Sequence, residues 1–167
     1  FASRDGEFGR TLSVLETLDR PEIVSPSDFS LVVHHALAGL LSIARGNRAG
    51  HGAVAAGRDS LWYGLVEAVG CLTEPDEPSV LMVYHNEPLP PPYDQFEDSP
   101  GETIALALEI VANGENTLRL RQAPASPSGL EELPPGESLL RTMLTGAPTT
   151  IRGERHLWQL ERVGALD

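Results

Sequence analysis

The stretch that decides the fold is residues 51–72, which read HGAVAAGRDSLWYGLVEAVGCL. The small residues of His51–Ala56 predict a short strand, and the polar turn at residues 57–60 leads into an apolar helix that runs through Leu72. Such a sharp elbow exposes one side chain above a helix N-terminus, where the helix dipole and free amides stabilise an anion. The segment therefore predicts a strand–elbow–helix unit, a setting in which many enzymes mount a nucleophile.

Two longer apolar segments predict the centre of the domain. Ser79–His85, SVLMVYH, predicts a strand that is buried on both faces of a sheet and has a parallel neighbour. Phe29–Ala44 predicts one continuous helix, with Ser27 or Asp28 as its N-cap and Gly46 just beyond its C-terminal end. Because the apolar residues of this helix cover every face, we expect it to be central and buried.

The remaining elements complete a layered domain. Gly6–Leu18 predicts an amphipathic helix, and Asn113–Asn116 predicts a turn that joins two strands into an antiparallel hairpin. The other predicted elements are those two strands at Thr103–Ala112 and Asn116–Gln122, a short helix at Glu137–Leu144, and strands at Thr149–Arg152 and His156–Val163. This order of helices and strands predicts an α/β fold with a mixed sheet, in a single domain over residues 1–167.

Composition limits the classes of partner. The chain has 167 residues, with 24 acidic against 12 basic side chains and a formal net charge of −12. This charge repels a phosphate backbone, so we expect no nucleic-acid partner. The apolar stretches are interrupted well before the length that spans a bilayer, which predicts no membrane span. A single cysteine, Cys71, gives no disulfide framework and no sign of an oxidising compartment, so the expected location is cytoplasmic.

The histidines and the cysteine predict no metal site, and we expect no cofactor. No two of the five histidines are four residues apart, and His34 and His35 point about 100° apart on a helix. We expect these two to be hydrogen-bonded core or interface residues. Cys71 lies in the last turn of an amphipathic helix, which predicts a small buried apolar residue and not a nucleophile.

Ser60 is the candidate nucleophile of the elbow. Its surroundings, Gly57 to Leu61, do not match the G-x-S-x-G pattern of serine hydrolases. Asp59 and Ser60 are both well suited to cap the following helix, which is the main interpretation. A free-standing serine acyltransferase or thioesterase that uses Ser60 stays open as the alternative.

Three segments carry a resemblance to a known family. Residues 24–48, with VSP followed by FSLVVHHALAG, resemble the helix that precedes the active-site elbow of β-ketoacyl synthases. Residues 55–61, AAGRDSL, are similar to the Ala-Cys-x-Ser turn of that family, and VLMVY at 80–84 with EPLP at 87–90 also agrees. The closer resemblance is to the short ketosynthase N-terminal-like proteins of aryl-polyene and related polyketide gene clusters. It implies a thiolase-like fold, the N-terminal half of a ketosynthase.

The departures from the family pattern decide the implied function. The family's nucleophilic cysteine falls on Gly57 or Arg58, and neither residue forms a thioester. The family's two catalytic histidines belong to the second half of a full-length ketosynthase. The resemblance therefore implies a pseudo-active-site elbow, made by Ala56, Gly57, Arg58, Asp59 and Ser60, with no catalytic residue. Its implied role is that of a chain length factor, which pairs with an active ketosynthase and helps set chain length in polyketide, aryl-polyene or fatty-acid-like biosynthesis.

The resemblance also implies an interface and a dimer. Ketosynthase-like folds pair the strand before the elbow across a two-fold axis, and the residues here are His51, Gly52, Ala53, Val54 and Ala55. Residues after the Ser-Pro step reach the partner's acyl tunnel, and here they are Ser27, Asp28 and Phe29. A competing interpretation makes Phe29 a core residue of the buried helix.

Two further expectations concern a carrier protein and the start of the chain. An acyl carrier protein is expected to act through the ketosynthase partner. A direct adaptor role for that carrier is a third alternative, which the acidic charge of this chain disfavours. Because the sequence starts at Phe1 without a methionine, we also expect that further residues precede it in the protein.

Overall fold

The computed structural model describes residues 1–20, 23–72, 79–97, 103–114, 117–124 and 133–163. Within these residues the chain forms five α-helices and five β-strands. The helices are α1 (Phe8–Leu18), α2 (Pro26–Ser30), α3 (Ala36–Arg45), α4 (Ser60–Cys71) and α5 (Pro135–Thr145). The strands are β1 (Ser79–Asn86), β2 (Ile104–Val111), β3 (Thr117–Pro124), β4 (Thr149–Arg152) and β5 (His156–Val163). The predicted α/β class is confirmed.

The first sheet is mixed. β1 and β2 pair antiparallel, while the segment around Ala2 runs parallel to β1 and also parallel to the segment around Val54. The amide of Ala2 donates to the Val83 carbonyl at 2.7 Å, and the amide of His85 donates to the Ala2 carbonyl at 3.0 Å. The predicted parallel neighbour of β1 is therefore confirmed. Burial on both faces is wrong, because Leu81 on the second face is 62% exposed.

The second sheet has the strand order β3–β5–β4 and is antiparallel throughout. The predicted hairpin of the strands at Thr103–Ala112 and Asn116–Gln122 is wrong, because β2 pairs with β1 and β3 pairs with β5. The cause lies in packing: the apolar face of each strand is buried beside a different partner, and strand pairing follows that burial, not the local turn signal. Both predicted C-terminal strands, β4 and β5, are confirmed to the residue.

The core lies between the helices and these sheets. Trp62 of α4 stacks near Trp158 of β5 with 6.3 Å between ring centroids, and Leu139 of α5 is fully buried in the same cluster. α4 packs closely on β1 at Gly64, where a Cβ atom would stand 2.7 Å from the terminal carbon of Met82. A larger residue at this position would push α4 away from the sheet.

The helix predicted over Phe29–Ala44 is divided and exposed, so the prediction of one buried central helix is wrong. α2 ends at Ser30, α3 begins at Ala36, and the chain between them forms turns. Neither helix contains a buried residue, and Ile43 of α3 is 80% exposed. The break falls on valine and histidine side chains, which favour helices less than the leucine and alanine of α3. The apolar pattern indicates a helix that packs against other apolar residues. It does not show whether those residues belong to this chain or to a partner.

The ends of two helices and the cysteine test three smaller predictions. The N-cap of α2 is Ser25, not Ser27 or Asp28, because Pro26 with its preset φ takes the first helical position. Gly46 ends α3 in the left-handed conformation, as predicted. Cys71 is exposed, not buried, since the buried face of α4 stops at Ala68.

Candidate functional site

The elbow has the predicted turn and the predicted helix after it. The backbone turns at Gly57–Asp59, and α4 begins at Ser60. Gly57 has a φ of +57°, a left-handed conformation that glycine adopts without the cost a side chain would bring. The preceding segment is extended, but it forms only a bridge at Val54, so the regular strand predicted at His51–Ala56 is wrong.

Ser60 closes the elbow with its side chain. Its hydroxyl donates to the Gly57 carbonyl at 2.7 Å and accepts from the Ala56 amide at 2.9 Å. The residue is 1% exposed. Asp59 takes the N-cap position of α4, as predicted, but neither its side chain nor that of Ser60 makes a cap hydrogen bond there. The geometry gives Ser60 a structural task and offers no support for a serine nucleophile.

Asp59 ties the elbow to the second sheet. One of its carboxylate oxygens accepts from Trp158 Nε1 at 2.8 Å, and the other accepts from the Glu154 amide at 3.1 Å. Asp59 is buried, and the backbone of Gly153 lies so close to it that a Cβ there would collide with the carboxylate. Sequence reasoning missed Trp158 and Glu154, because no local pattern links residues almost 100 positions apart.

The carboxylate of Glu154 lies against Gly57. A Cβ atom at Gly57 would collide with it, so the exposed side chain of Glu154 would have to move to admit a larger residue there. Arg58, the other position onto which the family's cysteine falls, is exposed beside the turn. The elbow thus carries no thiol, and its one hydroxyl, that of Ser60, is buried and hydrogen-bonded within the turn.

The histidines act in packing. His34 Nε2 lies 3.2 Å from the Arg4 carbonyl, and the ring of His35 stacks on His51 with 4.5 Å between centroids. His34 is half-buried and hydrogen-bonded, as predicted, whereas His35 is exposed and makes only a stacking contact. Among the residues that the structure describes, no three His, Cys, Asp or Glu side chains are grouped as metal ligands. No helix of the described chain is long and apolar enough to cross a membrane.

The predicted interface residues lie at the surface. His51, Gly52, Ala53 and Ala55 are exposed, and so are the three residues of α2 expected at the partner's tunnel, Ser27, Asp28 and Phe29. Phe29 is 63% exposed, so the interpretation that makes it a core residue is wrong within this chain. The stack of His35 on His51 brings the beginning of α3 beside the extended segment.

The fold and the elbow together define a class: a thiolase-like, ketosynthase-type N-terminal domain. Residues 1–161 match the family model described as beta-ketoacyl synthase, N-terminal domain, and the chain belongs to this family. The family resemblance and the expected fold are therefore confirmed. No curated protein matches the sequence.

A solved complex contains a chain of similar fold. It is described as a ketosynthase (ApeO) in complex with its chain length factor (ApeC) from Xenorhabdus doucetiae, and one of its chains is similar to this chain with a TM-score of 0.80 and 26% sequence identity. The match covers 96% of this chain and 67% of that chain. About a third of the matched chain therefore has no counterpart in these 167 residues.

Proposed function

We propose that this chain is a non-catalytic subunit that pairs with an active β-ketoacyl synthase, as a chain length factor does. The observation that carries this proposal is a turn at Gly57–Asp59 leading into α4, in which Gly57 and Arg58, the two positions onto which the family's cysteine falls, have no thiol. Without the cysteine thiol, this fold cannot form the acyl-cysteine intermediate of a ketosynthase. Its proposed role is therefore to bind an active ketosynthase and to shape the acyl tunnel of that partner. The solved complex supports the proposal, because it pairs a ketosynthase with a chain length factor on a similar fold.

The surface of the chain supports a protein partner. Among the described residues, fifteen large apolar side chains are exposed, and eight of them fall between residues 15 and 43. They are Leu15, Leu18, Ile23, Phe29, Val33, Leu40, Leu41 and Ile43. Exposed apolar area on this scale is typical of a protein interface. We place the interface on α2, α3 and the extended segment His51–Ala55, and expect it to bury about 1,600 Å² or more.

In this proposal, α2 is the element that limits the length of the acyl product. In the proposed dimer, Ser27, Asp28 and Phe29 close the far end of the partner's acyl tunnel, and Phe29 is the bulky residue of the three. Its exposure leaves it available to a partner, as this role requires. The acyl carrier protein delivers its cargo to the partner, and the products are of the polyketide, aryl-polyene or fatty-acid-like type.

Co-expression with the ketosynthase encoded beside this protein tests the pairing. We expect a complex on size-exclusion chromatography, and we expect it to be lost when a charge is placed on the interface by Ala53→Glu or Ile43→Glu. Leu144→Glu is the matched control, because Leu144 is 76% exposed, close to the 80% of Ile43, but lies on α5. All three variants should remain folded by circular dichroism. A complex that survives both interface variants places the partner elsewhere, and the absence of any wild-type complex contradicts the proposal.

A further inference from the structure

A groove of about 530 Å³ lies between α4, the extended segment before the elbow and the turn that joins β4 to β5. Its apolar wall consists of Val54, Ala56, Tyr63 and Val66. Val66 is 50% exposed, so the groove is open to solvent and suits a peptide segment. This exposed valine lies on α4 and therefore outside the interface proposed above.

The apolar wall is held in place by contacts within this chain. The ring of Tyr63 packs edge-on against Trp158, with 5.2 Å between ring centroids, and its hydroxyl accepts from Gln122 Nε2 at 3.1 Å. Asp59 also lines the groove, and its carboxylate is already bound by Trp158 Nε1 and the Glu154 amide. A groove that is formed before a partner arrives requires little ordering when the partner binds.

The groove carries more negative than positive charge. Its charged lining residues are Asp59, Glu67, Glu154 and Arg155, three carboxylates and one guanidinium, with a formal net charge of −2. Glu67, Glu154 and Arg155 are exposed, and none of their side chains forms an ion pair with a residue that the structure describes. Two carboxylates therefore remain available to a cationic side chain from a partner.

The position of the groove favours the ketosynthase as its occupant. Val54, in the groove wall, belongs to the extended segment His51–Ala55, which is expected to pair with that partner. A protein that binds along this segment therefore lies beside the groove. A second copy of this chain suits the groove less well, because it carries the same net charge of −12 and would bring further acidic residues to acidic ones.

We propose that this groove receives a surface segment of the ketosynthase in which an apolar side chain stands next to an arginine or a lysine. The apolar side chain packs against Tyr63 and Val66, and the cation pairs with Glu67 and Glu154. This inference rests on the proposed pairing with a ketosynthase, and it adds a second contact region with a defined chemistry.

Two valines of α4 provide a matched pair of variants. Val66 lines the groove, whereas Val69 is 56% exposed on the same helix and does not line it. The affinity for the separately purified ketosynthase is measured by isothermal titration calorimetry. Val66→Trp should lower it about tenfold or more, because the indole fills the space that the partner requires. Val69→Trp should change it less than about twofold, and circular dichroism checks that both variants are folded.

The charged residues predict effects of opposite sign. Glu67→Gln and Glu154→Gln should each weaken the affinity about tenfold, the value of one hydrogen bond to a charged group, and the loss should be largest at low ionic strength. Arg155→Gln should strengthen the complex or leave it unchanged, because it removes a cation that repels the cation of the partner.

Three results overturn the groove while the pairing with the ketosynthase stands. They are an equal effect of Val66→Trp and Val69→Trp, the wild-type affinity for both glutamate variants, and weaker binding of Arg155→Gln, which would indicate an acidic occupant. If the wild-type chain forms no complex with the ketosynthase, the pairing and the groove both fail. Analytical ultracentrifugation of the chain alone tests the other occupant, since a dimer that Val66→Trp dissociates would assign the groove to a second copy and contradict the proposal.

Discussion

Replacement of Asp59 by alanine should destabilise the chain by about 2–4 kcal/mol, because two hydrogen bonds to a buried carboxylate are lost. The carboxylate accepts from Trp158 Nε1 at 2.8 Å and from the Glu154 amide at 3.1 Å, beside the elbow. Hydrogen bonds to a charged group contribute about 1.5–3 kcal/mol each, or roughly 3–6 kcal/mol for the two. Removal of a buried charge returns part of that sum, because the carboxylate no longer has to be desolvated.

Urea denaturation followed by tryptophan fluorescence measures the change, since Trp158 reports directly on the lost contact. Asp59→Asn should fall between the wild type and Asp59→Ala, because the amide retains one acceptor oxygen but turns an N–H group toward a second donor. Asp94→Ala is the control, because Asp94 is exposed in a surface turn, and it should change stability by less than about 0.5 kcal/mol. A loss for Asp59→Ala as small as that of Asp94→Ala would refute the structural role of the carboxylate.

Three further predictions concern the elbow, the interface and the buried tyrosine. The purified chain should form no adduct with acyl carrier thioesters by mass spectrometry, and an adduct on Ser60 that Ser60→Ala abolishes would establish the serine alternative. Phe29→Ala should change the unfolding free energy by less than about 1 kcal/mol, because Phe29 is largely exposed. In the reconstituted ketosynthase complex the same variant should lengthen the products, and an unchanged product distribution would end the tunnel role. Burial raises the pKa of Tyr84 from its ordinary value of 10.0, so as the pH rises this side chain ionises in the unfolded chain before it ionises in the folded one. Its contribution to the free energy of unfolding should therefore be complete below pH 10 and decline above it. Denaturation midpoints at pH 9 and above should show a shallower decline for Tyr84→Phe, and equal slopes would contradict the burial argument.

Local chemistry was enough to predict the elbow. The small residues before Gly57, the polar turn and the apolar helix after it each act over a few positions, so their pattern can be seen along the chain. The same holds for α5, β4 and β5, whose bounds agree closely with the predicted segments. The absence of a thiol at Gly57 and Arg58 is also a property of the sequence, and on its own it removes the cysteine nucleophile of the family from the elbow.

The interior of the site could not be predicted in this way. The partners of Asp59 lie on the turn before β5 and on β5 itself, and the Glu154 carboxylate lies against Gly57 only because β4 and β5 pack beside the elbow. These contacts depend on which sheets pack together. A single sequence contains no repeating pattern that identifies such pairs.

The amino-acid sequence by itself determined the class of fold, the elbow without a nucleophile and the apolar character of residues 29–44. Only the tertiary structure decided how the strands pair and where that apolar segment lies. β2 joins β1 and β3 joins β5 because strand edges pair where side-chain burial brings them together, and a turn signal between neighbours does not overcome this. The apolar segment breaks into α2 and α3 and stays exposed, because hydrophobicity drives burial against any suitable surface and that surface need not belong to the same chain.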